Sequence, residues 1–263
     1  MAGNSGKGMV VQERDRSLLR ELGVMRVIDR EHAKIVARFR STTRANVRLL
    51  ALTRHGLLRR FFSGTTAGGK KALYALSTKG AALVGVERRG PRRRTDEALV
   101  ADFFVEHQMA INEIYCTVKY GALPKGATFH RWIAFHQPLT SGLRLIPDGY
   151  FEQETPSETV AAFLEVDLGH ESLKVWKEKV RNYLQFALSG DCKEWFGQTR
   201  FRVLVVAHSD RRMLSIRKAV AESTEKIFWL SSFESINRDG FFSPVWLRPK
   251  GEERLPLIPP TRR

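Results

Sequence analysis

Residues 143–184 read LRLIPDGYFEQETPSETVAAFLEVDLGHESLKVWKEKVRNYL, and the acids in this stretch decide how the chain is understood. Two apolar runs read as strands, the first ending near Pro147 and Asp148 and the second spanning VAAFLEVDL. A Lys-rich helical pattern follows. Alternation along the second strand puts Glu165 and Asp167 on one face, with Leu164, Val166 and Leu168 on the other, buried one. Two acids on one face and a third, Asp148, from the neighbouring strand make a set of hard oxygen donors suited to Mg²⁺ or Mn²⁺. Such an ion lowers the pKa of a bound water and stabilises charge on a phosphodiester under attack. The same spacing also describes a half-exposed strand whose outer face is simply wet, and Pro147-Asp148-Gly149 is in itself an ordinary turn signal.

The flanking segments set these acids in a fold. A long apolar helix is expected from Ala98 to Gly121, then a strand around Phe129 to His136 and the two strands above. A helix from about Ser172 to Leu188, the strand FRVLVVAHS (201–209) and the helix DRRMLSIRKAVAES (210–223) complete the series. The order α-β-β-β-α-β has a mixed sheet covered by helices as its natural solution, and the fold class is therefore α+β. Past Trp246 the tail, residues 249–263, is Pro-rich and charged and reads as disordered or as a docking segment.

The charge of the chain is divided unevenly. Residues 1–94 hold 22 Lys and Arg against 6 Asp and Glu, the whole of the net +16, while the remainder is neutral at 22 against 22. A field so concentrated favours a polyanion: nucleic acid, as double-stranded DNA, is the first candidate and an acidic membrane surface the second. No apolar run is long enough for a membrane span and the N-terminus has no signal-peptide core, so a cytoplasmic protein without membrane attachment is expected. Cys116 and Cys192 form no CxxC pair, which points to buried thiols and not to a disulfide framework or zinc site.

Within the basic third, RDRSLLRELGVM (14–25), DREHAKIVARF (29–39) and STTRANVRLLALTRHG (41–56) read as three helices, the last capped by Ser41 or Thr42 and closed by Gly56. LLRRFFSGTTAGGKKALYALSTKGAALVG (57–85) then reads as a hairpin around a Gly-rich tip and a closing helix. This is a winged helix-turn-helix pattern over residues 9–86. On the third helix Arg44, Asn46 and Arg48 are placed to reach base edges and phosphates; on the wing Arg59, Arg60, Lys70 and Lys71 are placed to neutralise the backbone. The plainer reading is a small helical domain with a solvated basic face. GTTAGGKK (64–71) imitates a phosphate-cradling loop but has Lys71 where a Ser or Thr should hold Mg²⁺, and a strand pattern follows it where a helix should start. Residues 87–96 form a basic join broken by Gly90 and Pro91, in which Arg92, Arg93 and Arg94 could lie along a phosphate backbone, and residues 97–248 form the second domain.

Pro147-Asp148 and then Glu165-Val166-Asp167, within α-β-β-β-α-β order, resemble the PD-(D/E)xK nuclease superfamily. Together with the winged-helix pattern, the EHQMAIN helix (106–112), EVDLGHES (165–172) and KVRNY (179–183), the chain resembles bacterial replication-relaxation proteins over residues 12–247. The resemblance implies a role in plasmid or mobile-element replication and mobilisation, with metal-dependent nicking or cleavage as its catalytic form. The nuclease pattern has a Lys where Asp167 stands. Some members carry that Lys on the following helix, which here offers Lys174, Lys177 and Lys179; Lys179 is chosen because it lies three residues after Trp176 and four before Tyr183, on the side expected to face the sheet. The implied catalytic set is Asp148, Glu165, Asp167 and Lys179, with the three acids on the metal. The alternative is an accessory DNA-binding factor, its second domain serving dimerisation or the recruitment of replication or mobilisation proteins. His107 and His170 belong to no catalytic arrangement and read as ordinary core and surface residues.

Overall fold

The computed structural model describes residues 9–64, 69–90, 98–99 and 103–259, and these form two compact units that part between Cys116 and Thr117. The fold is α+β.

The first unit opens with α1 (Glu13–Met25), α2 (Arg30–Val36) and α3 (Thr42–Arg54). Asp29 and Ser41 cap α2 and α3 by accepting the main-chain N–H of His32 and Arg44. Leu18, Leu19 and Leu22 of α1 and Ala45, Leu49 and Leu52 of α3 are buried, so the helical spacing read from the sequence is the spacing of the core. An antiparallel hairpin follows, β1 (Leu58–Gly64) with β2 (Lys70–Leu76), and then α4 (Thr78–Val84). Ile28 makes an antiparallel bridge to Tyr74, their main chains exchanging hydrogen bonds of 2.9 and 2.7 Å. The GTTAGGKK segment thus runs from one strand into another. Residues 65–68 at its tip lie outside the described residues.

The expected helix from Ala98 starts later. Ala98–Leu99 forms a short strand, β3, parallel to β1 at Phe62 and Ser63, and the helix, α5, spans Phe103–Tyr120. The two units divide within α5, not at the 87–96 join, because the first turns of α5 pack into the first unit. Val105 lies in a cluster with Val27, Phe61, Leu73 and Ala75, and the Asn112 side-chain amide donates to the carbonyls of Met25 (3.1 Å) and Val27 (2.7 Å).

In the second unit β4 (Thr128–Ile133), β5 (Gly149–Glu154) and β6 (Thr159–Asp167) are followed by α6 (Leu173–Ser189), α7 (Asp191–Phe196), β7 (Arg202–Ala207) and α8 (Asp210–Ala221). Then come β8 (Phe228–Ser232), α9 (Phe233–Asp239), β9 (Trp246–Leu247) and β10 (Arg254–Leu255). The seven strands lie in the order β10-β9-β8-β7-β6-β5-β4, with β6, β7 and β8 parallel and the other pairs antiparallel. β6 lies inside the sheet and is buried along nearly its whole length. Its Phe163 packs with Tyr183 and Phe186 of α6, rings 5.8 and 5.7 Å apart.

Two expectations are corrected here. Leu143–Ile146 is not a strand: Leu143 and Leu145 are buried and their neighbours exposed, which gives the alternation, but the segment joins no ladder and β5 begins after Asp148. The tail is also ordered through residue 259. β9 and β10 pair, Leu257 and Ile258 are buried, and Arg217 donates to the carbonyls of Arg248 (2.8 Å) and Gly251. Residues 260–263 are not among those described.

Candidate functional site

The site forms where the start of β5, the end of β6 and one face of α6 meet. Gly149 opens β5, and a Cβ there would stand 2.4 Å from the Trp132 ring, so only glycine lets this turn close against β4. The turn presents Asp148. Its N–H donates to the Leu164 carbonyl (3.0 Å) and its Oδ2 accepts from the Val166 N–H (2.7 Å), which clamps the residue against β6 beside Glu165.

Glu165 is 1% exposed. Lys179 Nζ donates to its Oε2 (2.8 Å) and the Tyr183 hydroxyl to its Oε1 (2.6 Å). Trp176, Lys179, Val180 and Tyr183 recur at helical intervals on α6, which turns both donors towards the sheet. Lys179 Nζ also lies 2.8 Å from Glu171 Oε2, an ion pair without hydrogen-bond alignment. Burial pushes the Glu165 carboxyl up to about 7, against the pull of Lys179 and with the help of the Asp148 charge. Burial also opposes the charge on Lys179, but Glu165, Glu171 and Asp148 together outweigh it and hold the ammonium well above its ordinary pKa. A cation fixed beside a carboxylate that titrates near neutrality is equipped to orient a water and exchange its proton.

The structure therefore brings together Asp148, Glu165 and Lys179 and adds Glu171 and Tyr183, which the sequence reading did not assign. The spacing of Tyr183, four residues after Lys179, was the available signal. Lys177 instead pairs with Glu222 (2.6 Å), and Lys174 is exposed. Asp167 does not join the cluster. Arg212 Nε and Nη2 each donate to it at 2.8 Å, Trp176 Nε1 at 2.7 Å and the Gly169 N–H at 2.7 Å. Burial would raise its pKa, but these donors prevail and hold it below the ordinary carboxylate value. Arg212 also donates to the Glu171 carbonyl, so this lock fixes the turn that carries Glu171. The wet outer face considered for β6 is excluded, since Glu165 and Asp167 are both buried under α6.

Asp148 and Glu165 leave two carboxylates for a cation where three were expected. Among the described residues no group of three His, Cys, Asp or Glu is placed to hold a metal ion. Mg²⁺ is commonly bound through one or two carboxylates with waters and substrate phosphate oxygens completing its shell. Among the described residues the pair alone does not make a resident metal centre.

The basic residues of the first unit part ways too. Arg44 is exposed on α3, and Arg40, Val47 and Arg54 extend that exposed surface. Asn46 is half-buried. Arg48 is turned inward: its Nε donates to Asp15 Oδ1 (2.8 Å) and its Nη2 to the Val10 carbonyl (2.8 Å), because Asp15 is buried on α1 and needs a cation. Arg59 and Arg60 are half-buried with their guanidinium groups over Phe61 (4.8 Å) and Phe62 (5.1 Å), and as strand neighbours they point to opposite faces. Lys70 is exposed, whereas Lys71 pairs with Asp29, whose Oδ1 also holds His32 Nδ1 at 2.8 Å. Arg92, Arg93 and Arg94 lie outside the described residues. No described helix is long and apolar enough to cross a membrane.

Comparison with known proteins finds no match among curated proteins or solved structures. Residues 18–199, from α1 through α7 and including every member of the carboxylate cluster, match the replication-relaxation family, and with well over half of its length matched the chain belongs to that family.

Proposed function

We propose that this chain is a duplex-DNA-binding protein of a bacterial plasmid or mobile element, and that its second unit cleaves or nicks the DNA it serves in replication and mobilisation. The observation that carries the catalytic half is the convergence of Lys179 of α6 on Glu165 of β6 at 2.8 Å beside Asp148, clamped in the turn before β5. Lys179 orients the attacking water and Tyr183 holds Glu165 in place. The proton released by the attacking water passes to solvent, and the leaving oxygen of the broken P–O bond takes one up from it. Asp148 and Glu165 would hold Mg²⁺ or Mn²⁺, and the ion would supply neutralisation of charge on the phosphodiester and favour ionisation of that water. Asp167 and Arg212 take no part in the chemistry and position the turn that carries Glu171.

The first unit acts as a winged helix. Its element order, the Ile28–Tyr74 bridge beside the hairpin and the exposed arginines of α3 support this reading. Arg44 and Arg54 make the groove contacts with Arg40 beside them, and Lys70 meets the backbone from the wing.

One observation favours a second reading, an accessory factor that binds DNA without cutting it: Lys179 and Tyr183 already occupy both oxygens of Glu165. Supercoiled plasmid incubated with the protein in Mg²⁺ or EDTA separates the two. Scission by wild type in Mg²⁺, lost in Lys179→Met while DNA binding persists, is the expected result; binding without scission at any Mg²⁺ or Mn²⁺ concentration would overturn the catalytic reading.

A further inference from the structure

A cavity of about 410 Å³ opens at the other end of the second unit's sheet, against the first residues of β6. From Val160 to Glu165 is five residues, about 17 Å along the strand, so the cavity is distinct from the carboxylate cluster. Its volume falls within the roughly 300–1,000 Å³ typical of small-ligand pockets. Three arginines line it, Arg200, Arg202 and Arg248, with Glu158 the one acid among the lining residues.

Arg202 and Arg248 are held in place, while Arg200 is exposed. Arg202 donates to the Leu257 carbonyl and to Glu158 Oε1 (3.1 Å); Arg248 Nη2 donates to the Glu225 carbonyl (3.0 Å). Both guanidinium groups lie against the Trp229 indole, 4.8 and 4.9 Å from its centroid. The Nε of Arg248 is buried and has no hydrogen-bond partner. A buried donor without an acceptor is costly unless something outside the protein accepts from it. Burial depresses the pKa of both arginines, and for Arg248 the charge of Arg202 adds to the effect. Such a site gains from an anion, and planar guanidinium forks suit the oxygens of a phosphate group.

We propose that this cavity binds a phosphate monoester, carried either by a free nucleotide or by the 5′ end of a DNA strand. Arg200 and Arg248 grip the phosphate oxygens, Arg248 through its unsatisfied Nε. All the gripping residues belong to the second unit, so binding here is separable from the general affinity of the basic first unit for anions.

The full-length protein is titrated by calorimetry with inorganic phosphate, with dAMP, and with a short oligonucleotide bearing or lacking a 5′ phosphate. Arg200→Gln and Arg248→Lys are measured alongside, the second preserving the charge while removing the Nε donor. Wild type is expected to bind at least one phosphate monoester with a Kd below about 1 mM, and each substitution to weaken it by about tenfold. Preference for dAMP over the phosphorylated strand identifies a nucleotide site; preference for the phosphorylated over the unphosphorylated strand identifies a DNA-end site. The proposal is overturned if wild type binds no probe up to about 10 mM, or if both variants, with melting temperatures unchanged, bind as wild type does.

Discussion

Asp167→Ala separates a structural acid from a chemical one, and its cost follows from the contacts. The carboxylate is fully buried and accepts from Arg212 twice, from Trp176 Nε1 and from the Gly169 N–H. Removal leaves Arg212, itself 16% exposed at the side chain, without its counter-charge, and strands a buried indole N–H. Breaking a buried ion pair from one side costs about 3–5 kcal/mol. For a unit of this size each kcal/mol lowers the melting temperature by about 2–4 °C, so a fall of at least about 6 °C is expected. All five tryptophans lie beyond residue 116, so tryptophan fluorescence during urea unfolding reports on the second unit alone. The lock also has a defined pH dependence. Because the folded pKa of Asp167 is depressed, its stabilisation is complete above the unfolded carboxylate pKa of about 4 and is lost as pH falls below it. Wild type should lose that increment on acidification and Asp167→Ala should not. A cost below about 1 kcal/mol, or one seen only when Mg²⁺ is present, would refute the assignment.

Further outcomes follow from other contacts. Arg48→Ala is expected to destabilise the first unit by about 3 kcal/mol in thermal unfolding followed by circular dichroism, since Asp15 would be left buried without its counter-charge. Arg44→Ala should leave stability unchanged and reduce the slope of log affinity against log salt by about one for duplex DNA, measured by fluorescence anisotropy. Deleting residues 249–263 removes Leu257 and Ile258 from the core, and urea unfolding of the second unit should record a loss of about 4 kcal/mol.

Local physics made much of the fold legible. Helical spacing located α1, α2, α3 and α6, helped at α3 by the Ser41 cap, because those signals act within four residues. The same logic singled out Lys179 among three lysines: a residue three after Trp176 and four before Tyr183 shares their face. Alternation set Glu165 and Asp167 together on β6, but at Leu143–Ile146 it misled, since alternation records one-sided burial and not a hydrogen-bonded neighbour. What remained hidden depends on partners distant in sequence. Nothing near Asp167 announces Arg212, 45 residues on, and nothing near Arg48 announces Asp15 across the helix pair. The C-terminal segment reads as disordered by composition, yet Arg217 and the burial of Leu257 and Ile258 order it.

The most direct test compares Asp148→Asn with Asp167→Asn in cleavage of supercoiled plasmid under Mg²⁺, at a temperature where both variants remain folded and bind DNA. The arrangement of the cluster predicts that Asp148→Asn loses scission by about a hundredfold or more while Asp167→Asn cuts within about tenfold of wild type. Equal loss in both, or Mg²⁺-dependent scission that survives Asp148→Asn, would contradict the assignment of catalysis to Asp148, Glu165 and Lys179.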